Sequence, residues 1–467
     1  MSLTVKQQRL IVVVGASAAS MAGFLDQTVV GVALPTISRE LGLSSAAALW
    51  VMTGYLLPLA SLAVAFGSIG RAINEHRLFT AGLLTFVAGS LTAGLSIDGT
   101  MLVIARVVQG VGAAATFTAS QAMVANAFPQ ERRGRGIAVY VAVTTLALSA
   151  GPFLGGLLTD TVGWRWIFFI NPVLALLAVP FMLGLAKDVT STTRVPITRP
   201  FDTLGLVLLV TGLALVVLGL DDLTKTPSGQ SWLLGWPATL VGAALLAWLV
   251  RHELHHPNPL LHLGFFARPV FLASVAVIVT VGSMQMWGII TFPAYLQSSL
   301  GLSAFAAGTG LVPLTVALTI GQFTAGRAVD KLGPRLPILI GLALSLAGVL
   351  VILVTLPLGT YWAMLPGLIL IGLGLATCQT PANTSAMNAV QATDRLEVSG
   401  VLSTARQSSG LLGLAVWTGV GMLAARLFAG SGDAPAVELT AGLIGGGATI
   451  LITMIVVSVV LKRSQTR

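Results

Sequence analysis

In this 467-residue chain, one acidic side chain stands well inside an apolar run: Asp26, in the stretch Phe24-Leu25-Asp26-Gln27-Thr28-Val29-Val30. A carboxylate withdrawn from water takes up a proton more readily than a solvated one, and it also pairs with cations. A single group that holds each partner in turn is one physical route to exchanging protons for a solute. The plainer reading of Asp26 is a fixed packing or capping residue. Arg106 is the candidate cation, six residues into a later apolar run. Gln109 follows three residues on, on roughly the same helical face. Arg106 either snorkels along its stem to the membrane surface or polarises an interior cavity beside a proton site. Charged groups within such runs are expensive and are kept where they face protein or water.

Polar residues recur in the later runs. Gln285, Trp287, Gln379, Asn383 and Arg406 are candidates for a substrate cavity, with Phe292 and Tyr295 close to Trp287 in sequence. Each taken singly also suits ordinary packing. Gly151, Pro152, Gly155 and Gly156 form a small-residue face around a helix breaker. Absent side chains allow close helix contact, and proline removes a backbone bond and kinks a helix. Tight packing and a seam that lets helices rock or seal both fit. His252, His255 and His256 bring a metal to mind, but no cysteine joins them and the neighbouring carboxylate is Glu253, so a solvated linker and no metal are expected. No G-x-x-x-x-G-K-[ST] loop occurs. Neither a cofactor nor ATP hydrolysis is expected, and the protein is not read as an enzyme.

The elements that carry these residues must be membrane helices. The chain is 55% hydrophobic and 9% charged, against about 25% charged in soluble domains. Fourteen apolar runs emerge, at roughly 10–34, 49–70, 78–96, 101–125, 137–159, 166–186, 203–220, 233–250, 270–292, 305–325, 336–356, 362–386, 400–424 and 441–461. They lack strict alternation and are about twice the length a tilted barrel strand needs. The first run reads as a span rather than a cleaved leader. Of the 25 lysines and arginines, all but a few fall in alternate connections. That bias places both termini in the cytoplasm. The basic clusters punctuate apolar runs, so the net charge of +9 speaks for a membrane face and not for nucleic acid. The lone cysteine, Cys378, excludes an internal disulfide framework. Trp164, Trp166 and Trp362 fall at expected interfaces, where tryptophan is enriched.

Residues 110–127 and 372–389 share a pattern at a constant offset of 262, with Gly110, Gly112 and Asn126 answering to Gly372, Gly374 and Asn388. A looser pair links 67–77 with the stretch carrying Gly326, Asp330, Gly333 and Arg335. Parallel repeats of this kind mark one transporter architecture.

Taken in order, several motifs closely resemble the major facilitator superfamily and, within it, the fourteen-spanner drug:proton antiporter family. They are Leu25-Asp26-Gln27-Thr28 with Ala33-Leu34-Pro35; Arg106, Gln109, Gly110 and Gly112; Gly151-Pro152 with Gly155-Gly156; Trp164-Arg165-Trp166 with Asn171-Pro172; Phe201-Asp202 with Gly205; and Arg406-Gln407 with Gly410. The resemblance implies an all-α polytopic fold with a six-helix bundle at 1–186, a linker with an inserted helix pair at 187–269 and a second six-helix bundle at 270–467. It implies export of hydrophobic or amphipathic small molecules across the inner membrane in exchange for protons, by a chain that works as a monomer. Proton-coupled uptake is the alternative; a receptor or a channel fits less well. Asp26, Arg106 and Gln109 fall to proton coupling. Gly151, Pro152, Gly155, Gly156, Gly326, Asp330 and Arg335 fall to gating and packing. One departure stands out: in the loop 67–77, Arg71 and Asn74 occupy positions where the family has Asp and Gly, while Gly326, Asp330 and Gly333 keep the pattern. Glu75 is the residue that could compensate.

Overall fold

The computed structural model describes residues 4–183, 185, 202–224, 229–256, 259–260, 263–302, 304–428 and 434–465. Lys187, Arg194, Arg199, Phe201, Lys225 and His262 lie outside them, as do the side chains of Arg71, Ala72 and Asp330. Among the described residues there are sixteen α-helices and no strand.

The first unit comprises Met1–Arg199 with Met387–Thr404. It contains α1 (Val5–Glu40), α2 (Ser45–Ile73), α3 (Glu75–Gly94), α4 (Gly99–Ala127), α5 (Arg133–Thr161), α6 (Arg165–Ala175) and the short α7 (Val179–Met182). Polar residues at the ends of the apolar runs carry the helices past the expected limits. Thr4 and Gln7 form a capping box at the start of α1, and the side chains of Ser44 and Asp98 accept the backbone N–H groups of Ala47 and Met101. Each satisfies a donor the helix cannot use internally. The expected run 166–186 is interrupted by a 3₁₀ turn, Leu176–Ala178. Pro180 cannot donate to the carbonyl of Leu176, so the α-helical pattern fails there.

The second unit comprises Pro200–Ala386 with Ala405–Arg467. Its helices are α8 (Thr203–Thr224), α9 (Gly229–His255), α10 (Pro269–Ser298), α11 (Ala304–Thr309), α12 (Val312–Leu332), α13 (Arg335–Thr355), α14 (Tyr361–Asn388), α15 (Arg395–Phe428) and α16 (Ala434–Gln465), with α14 and α15 running across the unit limits. α8 and α9 pair with each other, and α16 packs on α10 and α13.

Twelve helical stretches among the described residues are long and apolar enough to cross a membrane. The runs expected at 233–250 and 400–424 lie in α9 and α15, which are helical but not among the twelve. Exposed apolar side chains such as Leu84 and Leu91 in α3 and Ile452 and Ile455 in α16 would be a liability in water and are what a lipid-facing surface requires.

The repeat has a packing meaning. In the first unit, a Cβ at Gly110 would strike the backbone of Tyr55 in α2, and one at Gly112 the backbone of Phe86 in α3. In the second, Gly372 faces the backbone of Leu314 in α12 and Gly374 that of Ser345 in α13. α4 and α14 are each wedged between two neighbours at distances only glycine permits.

Candidate functional site

Asp26, Arg106 and Gln109 come together in the first unit, all fully buried. Arg106 Nη1 donates to Asp26 Oδ2 in an ion pair and to Gln109 Oε1 at 2.9 Å. Its Nε donates to the Val51 carbonyl of α2 at 3.0 Å. The other carboxylate oxygen of Asp26 accepts from Asn171 Nδ2 at 3.0 Å and Gln109 Nε2 at 3.4 Å. Asn171 also donates to Ser90 Oγ at 2.9 Å, and Ser90 donates to the Phe168 carbonyl. Arg106 therefore does not snorkel. Its guanidinium lies over the Tyr55 ring at 4.3 Å, and Tyr55 in turn donates its hydroxyl to the Gly23 carbonyl. The Asp26 carboxylate of α1 is bonded from α4 and α6, and Arg106 and Asn171 extend the network to α2 and α3. Two polar atoms stay without a hydrogen-bond partner, Arg106 Nη2 and Asn171 Oδ1. Buried polar atoms are nearly always satisfied, so this unmatched donor and acceptor are unusual beside a buried ion pair.

Two residues from Asp26, α1 is tied to α5. Pro152 lacks the N–H that would bond the Leu148 carbonyl one turn back. Thr28 Oγ1 supplies the missing donor at 2.8 Å. It reaches that carbonyl because a Cβ at Gly151 would collide with Thr28, and one at Gly155 would sit 2.7 Å from the Val29 carbonyl. Gly156 meets nothing within 4 Å, so the close face is Gly151 and Gly155.

The second unit holds a small apolar cavity of about 40 Å³. Gln285, Trp287 and Phe292 of α10 line it, with Leu318 of α12, Leu368 of α14 and Leu443 of α16. Arg406 Nη2 donates to Gln285 Oε1 at 3.2 Å, which aligns the amide, while Gln285 Nε2 and Trp287 Nε1 have no partner though both side chains are buried. Gln379 and Asn383 do not border this cavity. Gln379 accepts from Gln322, which accepts from Thr380, and Asn383 donates to the Gln379 carbonyl. The five candidate cavity residues thus separate into a lining pair with Arg406 behind it and a self-satisfied amide cluster.

A family model described as Major Facilitator Superfamily matches residues 16–414. The chain belongs to that superfamily. It is 31% identical over 396 residues to a Mycobacterium tuberculosis protein named multidrug resistance protein Stp, covering 84% of this chain and 72% of the relative. It is 31% identical over 412 residues to the puromycin resistance protein pur8 of Streptomyces alboniger, covering 85% and 79%. The solved structure of the proton:xylose symporter XylE superposes with a TM-score of 0.64 at 13% identity, over 97% of this chain and 95% of that one, which establishes the shared all-helical transporter fold. As a superfamily member, this chain is a small-molecule transporter of the multi-pass membrane class.

Its departures at 67–77 also have structural correlates. Asn74 is the one described non-glycine residue at positive φ, +88°, matching Gly333 at +72°. Asn tolerates that region better than most side chains, and its Oδ1 caps α3 by accepting the His76 N–H at 2.8 Å. Glu75 is buried and accepts from Asn126 Nδ2 at 3.0 Å. Asn126 Oδ1 accepts from Arg395 at 2.7 Å, so a carboxylate is present in this region although Arg71 stands where the family's Asp would be. Of the intact counterpart, Gly326 is buried and Arg335 opens α13.

Sequence reasoning passed over a reciprocal pair. Arg133 donates to the Ala125 carbonyl and to Asn388 Oδ1. Arg395 donates to the Met387 carbonyl and to Asn126 Oδ1. Each residue of one set lies 262 positions from its counterpart in the other. The constant offset, already visible at the asparagines, could have been extended to the two arginines.

Three further expectations need correcting. Trp164 is buried and donates to Glu40 at 2.7 Å, whereas Trp166 and Trp362 are exposed. Trp164 turns inward because Glu40, at the end of α1, offers its indole N–H an acceptor. His252 and His255 lie in the last turn of α9, not in a solvated linker. The carboxylate nearest His252 is Asp202, fifty positions away in sequence, brought there by the pairing of α8 with α9.

Proposed function

We infer that this chain exports hydrophobic or amphipathic small molecules in exchange for protons, by alternating access. It would do so in the inner membrane as a monomer, with fourteen helices, cytoplasmic termini, six-helix bundles at 1–186 and 270–467, and an inserted pair within 187–269 outside that core. The observation that carries this reading is the buried ion pair of Asp26 and Arg106. Protonating Asp26 removes the charge that holds Arg106 and turns an acceptor oxygen into a donor. The contacts of α1 with α4 and α6 are thereby weakened together. Exchange then requires that solute binding bias the same conformational equilibrium in the opposite sense to proton uptake. The two unpartnered donors beside the small cavity of the second unit, Gln285 Nε2 and Trp287 Nε1, favour a cargo that carries hydrogen-bond acceptors. Relatives named for multidrug and puromycin resistance make puromycin a first compound to try.

The test uses inverted membrane vesicles with an imposed pH gradient and a panel of amphipathic compounds including puromycin. Substrate-dependent proton release from the vesicle lumen, abolished in Asp26→Asn, is the expected result. Solute movement that ignores the gradient, or no movement across the panel, overturns it.

A further inference from the structure

Where α8 begins and α9 ends, three side chains from distant parts of the sequence converge. Asp202 precedes α8 and caps it, its Oδ1 accepting the Gly205 N–H at 2.8 Å. His252 and His256 are one helical turn apart, and the His256 N–H still donates to the His252 carbonyl at 2.9 Å. The i, i+4 spacing puts both imidazoles on the same face of α9, with ring centroids 4.9 Å apart. His252 Nε2 stands 2.9 Å from Asp202 Oδ1 and 3.1 Å from Oδ2. His256 Nδ1 stands 3.8 Å from Oδ2. Asp202 is buried and both histidines are partly so.

We propose that Asp202, His252 and His256 form a binding site for a divalent transition metal of the zinc class. Ligand bonds of about 2.0–2.2 Å in a tetrahedral arrangement place neighbouring donor atoms roughly 3.3 Å apart. The nitrogen-to-carboxylate separations of 2.9–3.8 Å bracket that value, and all three donor atoms, the two ring nitrogens included, fall within 4.8 Å of one another. Two imidazoles and a carboxylate suit Zn²⁺ and its neighbours better than Mg²⁺ or Ca²⁺, which favour all-oxygen sets. The fourth position is reachable. His252 and His256 border an open cleft shared with Trp248, Arg251 and His255, so water can complete the shell. Arg251 is exposed, and solvent screens its charge from an incoming cation. The helix pair also supplies a rigid base, since Gly205 admits both the Asp202 and the Glu253 carboxylates, a Cβ there lying 2.7 Å from Glu253 Oε1. A bound ion would join the start of α8 to the end of α9, closing the helical hairpin opposite its turn.

The site is independent of transport, and so is its test. Full-length protein in detergent, with any affinity tag cleaved off and metal stripped by chelating resin, is titrated with Co²⁺ and followed by visible absorption. Zn²⁺ is then used to displace it. One equivalent per chain, with the d–d bands of a low-coordinate nitrogen–oxygen site, is expected. His256→Gln leaves the Asp202–His252 hydrogen bond in place and should weaken binding by about tenfold or more; His252→Gln should do the same. His255→Gln, on the same cleft but outside the triad, should bind as the wild type does. The absence of saturable binding in the wild type overturns the proposal, as does an equal loss in His255→Gln and His256→Gln. A matched unfolding temperature for His256→Gln and wild type in chelator shows that any loss is of ligand and not of fold.

Discussion

Removing the charge of Asp26 leaves a guanidinium buried with no anion to balance it, and an uncompensated buried charge costs about 3–5 kcal/mol. Replacing both members of the ion pair removes the imbalance. Asp26→Asn should therefore lower the unfolding temperature more than the double variant Asp26→Asn with Arg106→Gln, as read by intrinsic fluorescence in detergent, while proton-driven transport is lost in both. Equal destabilisation would mean that the pair contributes packing and no electrostatic balance. Asp26 and Arg106 were legible in the sequence because charged residues in apolar runs are rare enough to announce themselves, and Gln109 by its spacing from Arg106. Asn171 and Ser90 were not. Uncharged polar residues are common in membrane helices, and nothing local to α3 or α6 reveals that they converge on a carboxylate from α1. Gln379 and Asn383 illustrate the same limit from the other side: their types suggested a cavity, yet they bond to Gln322 and to each other and do not border it.

At the scale of helices, Pro152 and Thr28 act as complementary parts. Thr28→Val keeps the shape but strands the Leu148 carbonyl, at about 1–3 kcal/mol. In a Pro152→Ala background the alanine N–H can take over that carbonyl, so the same Thr28→Val change should cost appreciably less. A double-mutant cycle by thermal unfolding measures the difference, and additivity would refute the pairing. Asn74 makes a second prediction. Asn74→Val loses a cap worth about 1 kcal/mol and forces a β-branched residue to positive φ, adding about 1–3 kcal/mol. Asn74→Gly should stay within a few tenths of wild type, the two compared by unfolding temperature. The donor missing at Pro152 could be read from sequence; the threonine that replaces it could not, because Thr28 lies 120 positions from the Leu148 carbonyl it bonds.

Across the whole chain, the helical runs and the 262-residue offset were plain in the sequence, since hydropathy and glycine spacing are local signals, but the helix lengths were not, because polar capping residues carry the helices beyond the apolar runs. The convergence of Asp202 on His252 was less plain, because it depends on which elements become neighbours, whereas the interruption at Leu176–Ala178 follows from the local Pro180. The reciprocal bonds of Arg133 with Asn388 and Arg395 with Asn126 tie Met387–Thr404 into the first unit. A hydrogen bond to a charged group contributes about 1.5–3 kcal/mol. Arg395→Met should thus speed amide hydrogen exchange within 387–404 by about tenfold or more, with exchange in α3 near Ser90 unchanged. Unaltered exchange at 387–404 would show that the arginine is dispensable there. The mirrored arrangement has an economy of its own. Each latch is one asparagine and one arginine drawn from opposite copies of the same motif, so a single pattern written twice along the chain specifies both halves of both fastenings. An alteration at one asparagine therefore reads out on the distant copy's arginine, and the two stretches must change in step.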